Sequence, residues 1–127
     1  MNAAQASIIL LCADERIGAA GPYTITANEV AIGLIVPRSM IEIARYRLDP
    51  SHLHRALALA EAYSPDAAVD AGFLDRVAPL RDVVAVAQDV ARGYTALDMK
   101  AHVVTKARLR QEMLPRLRTL IDKEFPG

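Results

Sequence analysis

Dense apolar runs occupy the first third of this chain, and apolar residues at helical spacing occupy the remainder. Ala3 to Cys12 contains neither Gly nor Pro and is apolar almost all round, which predicts a buried helix, although Ile8-Ile9-Leu10-Leu11 alone also fits a strand. Glu15 to Ala19 and Tyr23 to Thr26 suit short strands separated by a hairpin-like Gly21-Pro22 break, so a small sheet edge is expected. Ala27-Asn28-Glu29-Val30-Ala31-Ile32-Gly33-Leu34 then sets one carboxylate between a polar turn residue and an apolar run that reads as buried.

Beyond Pro37 the spacing is helical. Ser39 is expected to cap a helix with Met40, Ile43, Ala44 and Arg47 on one side. Asp49-Pro50-Ser51 stops that helix and opens another, on which Leu53, Leu57 and Ala60 share a face. Ser64-Pro65 supplies an N-cap and a first-turn proline, Gly72 suits the left-handed residue that ends the helix, and Phe73 to Val77 is a short extended piece. Leu80, Val83, Val84, Ala87, Val90 and Ala91 trace a stripe that Gly93 ends. Thr95 then opens one long helix with Val103, Val104, Ala107, Leu114, Leu117 and Ile121 as its apolar side and a bend at Pro115. The order is helix, small sheet, then many helices, an α+β arrangement without internal repeat or linker.

Composition narrows the function. The 127 residues make one domain at most, 53% hydrophobic but only 5% aromatic, so the core is aliphatic. Fifteen basic residues balance fifteen acidic ones, which argues against a general nucleic-acid or acidic-membrane binder. The single cysteine, Cys12, excludes an intrachain disulfide and reads as a small buried hydrophobe. His52, His54 and His102 do not join it in zinc-ligand spacing and read as helix surface, so metal-free chemistry is expected. Met1 to Cys12 lacks the positive charge of a signal peptide, and no run approaches the roughly 18 apolar residues of a membrane span, so a soluble, cytoplasmic protein is expected. Residues 100–127 carry seven basic and three acidic side chains, a surplus of four, which fits a solvated helix face or a binding edge for phosphate groups.

Glu29 is the first candidate for chemistry. A carboxylate at the rim of an apolar segment is only partly hydrated, which suits a group that exchanges protons near neutral pH; the plainer alternative is a solvated turn residue.

Leu10-Leu11-Cys12-Ala13-Asp14-Glu15-Arg16-Ile17-Gly18-Ala19-Ala20, followed after a turn by Asn28-Glu29-Val30-Ala31-Ile32-Gly33-Leu34, resembles the centre of the crotonase (enoyl-CoA hydratase/isomerase) family. Asp66 to Pro79 is similar to that family's Ala-xxx-Gly-Leu-Val-Asp-Arg-Val-Val-Pro segment, and Thr105-Lys106 to its late Thr-Lys helix. The resemblance spans Ile8 to Arg110 and only the second half of the domain. It implies an α/β class, here α+β: a partial ββα spiral core over residues 1–79 and a helical region over 80–127, truncated at the N-terminus or completed by another chain.

The resemblance also implies acyl-CoA chemistry through an enolate-like intermediate, with two backbone N–H groups as an oxyanion hole and glutamates as proton carriers. Counted from Asp14, the family's catalytic glutamate falls on Glu29. The second glutamate of hydratases falls on Ile8, which neither orients water nor gives a proton, so isomerisation is favoured over hydration. Gln5 and Ala6 fall on the oxyanion loop, where Gly usually supplies backbone angles that Gln resists, and Ile8 and Leu34 are expected beside the substrate. The implied partner is an acyl-CoA thioester, with coenzyme A part of the substrate and no separate cofactor. A homo-oligomer, trimer or hexamer, and a place in fatty acid metabolism follow by the same resemblance. The alternative is a catalytically inactive homologue that serves as an oligomerisation or interaction module.

Overall fold

The computed structural model describes residues 3–127, with side chains described from Ala6 onward. The predicted first helix is present as α1 (Ala3–Leu10), but it is covered on one side only: Ser7 and Ile8 are buried whereas Ile9 is 59% exposed. The strands expected on either side of Gly21-Pro22 also form, as β1 (Ile17–Ala20) and β2 (Ile25–Thr26). They do not pair with each other. β1 runs parallel to β4 (Arg76–Pro79), with Ile17 opposite Arg76 and Ala20 opposite Pro79, and β2 runs antiparallel to β3 (Ala62–Tyr63). Both partners come from far along the chain, so the expected sheet edge is two separate two-stranded sheets.

Between these strands lie α2 (Arg38–Arg47), α3 (Pro50–Leu57) and α4 (Pro65–Ala71). Asp49 caps α3 by accepting from the Ser51 N–H, and Ser64 caps α4 by accepting from the Ala67 N–H. Gly72 ends α4 at φ 93°; a Cβ there would stand 3.0 Å from the Arg47 carbonyl oxygen, so both the left-handed backbone and the packing of the α2 end require glycine. Ser39, expected as a cap, lies inside α2 and is itself held from outside. Its N–H and hydroxyl, with the Arg38 N–H, donate to the Glu124 carboxylate at 2.9, 2.6 and 2.6 Å. Those bonds satisfy the free N–H groups of the first turn and hold Glu124 below its ordinary carboxylate range.

The core gathers Ile8, Leu11, Ala27, Ala44, Leu48, Leu57, Tyr63, Phe73 and Leu74, every member from the α1-to-β4 part of the chain. Small Ala residues at helix contacts let the backbones approach, and Tyr63 and Phe73 fill the middle with ring centroids 5.6 Å apart.

The last helices are α5 (Val83–Tyr94), α6 (Met99–Leu109) and α7 (Met113–Glu124), and none contributes a buried residue. The long helix expected from Thr95 is therefore two: Asp98 caps α6, the chain breaks at Arg110, and Pro115 sits in the first turn of α7, where a missing N–H is no loss. The packed sides also differ from the expected stripes. In α5, which lies against β1 and β4, Val83, Val86 and Val90 are half-buried while Val84 is 68% exposed. In α6, His102, Lys106 and Arg110 are the half-buried side and Val103 and Val104 face outward. α7 packs along α2 through Met113, Leu117 and Leu120.

Candidate functional site

Glu29 opens a single 3-10 turn, Val30–Ile32, closed by Gly33 at φ 78°. Its carbonyl oxygen accepts from the Ile32 N–H at 3.1 Å and the Leu34 N–H at 2.8 Å, so the backbone on both sides of the residue is fixed. The side chain does not cap the turn. It points inward, 5% exposed, and neither carboxyl oxygen has a hydrogen-bond partner among the described residues. An unpaired buried carboxyl is costly to maintain, more so than the unpaired Thr26 hydroxyl three residues earlier, so folding alone does not explain it.

The apolar run that reads as buried is, in contrast, open: Val30, Ile32 and Leu34 are about half exposed and Ile35 is 92% exposed. The carboxylate is inside and the aliphatics are outside, the reverse of the usual arrangement. Just before the turn, the buried Ser7 hydroxyl of α1 donates to the Thr26 carbonyl at 3.0 Å and ties α1 to the strand that leads into Glu29.

The other expected site residues are dispersed. Ile8 is buried in the core cluster rather than lining open space, Leu34 is exposed, and Ala6 is exposed on α1. Gln5 lies within α1, and its side chain is outside the described residues. Cys12 is not a buried hydrophobe but an exposed thiol, its Sγ 3.7 Å from the Ile8 carbonyl. Among the described residues no three His, Cys, Asp or Glu side chains gather as a metal site, and no helix is long and apolar enough to cross a membrane.

Two charged clusters join distant parts of the chain. Arg16, 5% exposed, places Nε 2.9 Å and Nη2 3.0 Å from the Asp75 carboxylate and gives Nη1 to the Gly72 carbonyl at 2.6 Å, while its backbone N–H also donates to Asp75. Burial pushes the Asp75 carboxyl up, but the Arg16 hydrogen bonds and charge outweigh it, and the group is held below its ordinary range. Asp14 receives Lys106 Nζ at 2.7 Å, with Arg110 at 3.5 Å and His102 at 3.9 Å, and is likewise lowered, first by the Lys106 hydrogen bond. This second cluster borders a groove of about 450 Å³ that Glu29 does not line. The sequence signal for it was the four-residue spacing of His102, Lys106 and Arg110, which puts all three on one side of a helix.

Three of the segments that carried the resemblance are thus structurally joined: the Arg16 step to the Asp75 step, and Asp14 to Lys106. No family model matches the chain. Comparison with individual proteins does: the chain is 30% identical over 118 residues to human enoyl-CoA delta isomerase 1, mitochondrial, covering 92% of this chain and 39% of that protein. The chain matches the C-terminal half of a crotonase domain. Among solved structures, an enoyl-CoA hydratase/isomerase family protein from Pseudomonas syringae superposes with a TM-score of 0.90 at 39% identity over 93% of this chain and 51% of its own. A Mycobacterium tuberculosis protein described both as an enoyl-CoA isomerase and as a probable enoyl-CoA hydratase gives a TM-score of 0.87 at 40% identity in both structures, with 91% of this chain covered and 51% or 49% of its own. The crotonase match lies in the C-terminal half of these domains, and the chain spans about half the length of the solved relatives and less of the curated ones.

Proposed function

We propose that this crotonase homologue takes part in isomerisation of a 3-enoyl-CoA thioester, with Glu29 as the group that removes a proton from one carbon and returns it to another. A single carboxylate suffices because the proton is conserved: it leaves the α-carbon as the electron pair moves into the thioester-stabilised enolate, and is redelivered at the γ-carbon as the double bond shifts into conjugation. The observation that carries the reading is the buried Glu29 carboxyl with no partner among the described residues. Burial strengthens its interaction with any charge that develops beside it and leaves both oxygens available to a substrate.

Ile8 supports isomerisation over hydration. It occupies the position where the resemblance puts the second glutamate of hydratases, and it is committed to the core, so nothing there positions water. Coenzyme A enters as part of the substrate. Because the chain spans about half of its relatives' domains, in this reading the oxyanion donor other than the one at Gln5-Ala6, and much of the coenzyme A surface, come from polypeptide that complements residues 3–127. The exposed Ile32, Leu34 and Ile35 that follow Glu29 supply an apolar face suited to such a contact.

The discriminating experiment compares two reactions of the same protein: conversion of a 3-enoyl-CoA to its 2-enoyl isomer and addition of water to a 2-enoyl-CoA. Isomerisation without hydration is expected; hydration at an equal or greater rate contradicts the one-carboxylate reading. A second reading, an assembly module without turnover, is favoured by one observation. Val84, Val103 and Leu109 on the outer helices are each more than 60% exposed, an aliphatic surface suited to subunit contacts in a homo-oligomer.

A further inference from the structure

Two grooves meet at Asp14, Leu97 and His102. The first, of about 450 Å³, lies between the Ala13-Asp14 turn, the end of α2 and α6, and it is lined by Arg47, Lys106 and Arg110. The second, of about 340 Å³, continues between α5 and α6 against Ala91, Leu97 and Met99. One wall is cationic and the next is hydrocarbon.

Among the described residues, cations outnumber carboxylates on the walls of the first groove, which Arg47, Lys106 and Arg110 line. Lys106, Arg110 and His102 share the half-exposed Asp14 carboxylate, and Arg47 turns to the Ala13 carbonyl; Asp98, the other carboxylate on the wall, is committed to the Ala101 N–H at the start of α6. Only Lys106 stands at close contact with Asp14, while Arg110 is 3.5 Å away and lies over the Tyr46 ring at 5.8 Å. Arg47 gives Nη2 to the Ala13 carbonyl at 2.8 Å, and its Nε has no partner among the described residues. Burial first, and then repulsion from Arg16, holds its guanidinium below its ordinary range, with the Asp75 charge acting in the opposite direction.

A clamp between α6 and the Ala13-Asp14 turn needs one cation, and Lys106 already provides it. Three cations around an open groove instead fit a ligand with more charge and more acceptors than one carboxylate offers. A phosphate monoester carries close to two negative charges near neutral pH and three acceptor oxygens, and planar guanidinium groups match them. The adjoining hydrocarbon groove accounts for the organic part.

We propose that this junction binds an organic phosphate monoester, its dianion taken by Lys106, Arg110 and Arg47 in place of Asp14 and its apolar body seated against Leu97, Ala91 and Met99. The site shares no lining residue with the Glu29 turn, so it stands independently of the acyl-CoA reading.

Phenyl phosphate is the probe, titrated into the purified protein and followed by calorimetry, with inorganic phosphate and phenol as the two halves of the ligand. Saturable binding of phenyl phosphate is expected, with weaker binding of inorganic phosphate and none of phenol. Lys106→Met and Arg110→Leu should each weaken binding by about tenfold, the loss of one charge-assisted contact. Asp14→Asn keeps the shape while removing the competing charge, so it should tighten binding severalfold. Absence of saturable binding by both wild type and a folded Asp14→Asn variant overturns the proposal, as does binding that Lys106→Met and Arg110→Leu leave unchanged.

Discussion

Arg16 and Asp75 are joined by two side-chain hydrogen bonds and one from the Arg16 backbone, although 59 residues separate them. The pair sits where β1 begins and where the chain turns into β4, so it fixes the register of the parallel strands from one end. Asp75→Ala leaves the buried Arg16 guanidinium facing only the Gly72 carbonyl, and denaturant unfolding should show a loss of about 3 kcal/mol.

The same pair sets an acid dependence. Because the folded Asp75 carboxyl is held below its ordinary range, its contribution is complete above the unfolded value of about 4 and is lost as pH falls through the folded value. Wild-type stability measured from pH 6 to pH 2 should therefore fall more steeply than that of Asp75→Asn. Parallel pH profiles would show that the pair contributes nothing.

Glu124 and Ser39 link the last helix to the first turn of α2 across 85 residues. Ser39 is buried, so Ser39→Ala should lower stability by about 1 kcal/mol. Glu124→Ala in the Ser39→Ala background should then add less than it does alone, because both changes break one interaction. Amide exchange should quicken in the first turn of α2 and in α7 in either variant; strict additivity with unchanged exchange would contradict the link.

What the sequence made legible was local. Asp49, Ser64-Pro65 and Gly72 act within a few residues of themselves, so their capping chemistry could be read directly and the starts of α3 and α4 and the end of α4 followed. The pairing of β1 with β4 could not be read, because it depends on contacts such as Arg16–Asp75 that only the folded chain brings together. The facing of α6 was misread for the same reason. Hydrophobicity alone turns Val103 and Val104 inward, whereas Asp14, 92 residues before Lys106, draws the basic side toward the body. At Glu29 the residue type was legible and its direction was not: spacing among apolar neighbours does not say which side of a 3-10 turn meets the core.

The open aliphatics beside Glu29 give a different kind of test. Ile35 is 92% exposed and makes no contribution to the core, so Ile35→Ser should change unfolding free energy by less than about 0.5 kcal/mol. It should reduce self-association in sedimentation experiments if this face meets other polypeptide. A large loss of stability would show instead that Ile35 packs within the chain.

The most direct measurement is the rate of 3-enoyl-CoA isomerisation by the protein and by Glu29→Gln, which replaces the carboxyl with an isosteric amide unable to carry a proton. A fall of about 10²- to 10⁴-fold with an unchanged fold is the predicted result. Equal rates for the two proteins would contradict the assignment of Glu29 as the proton carrier.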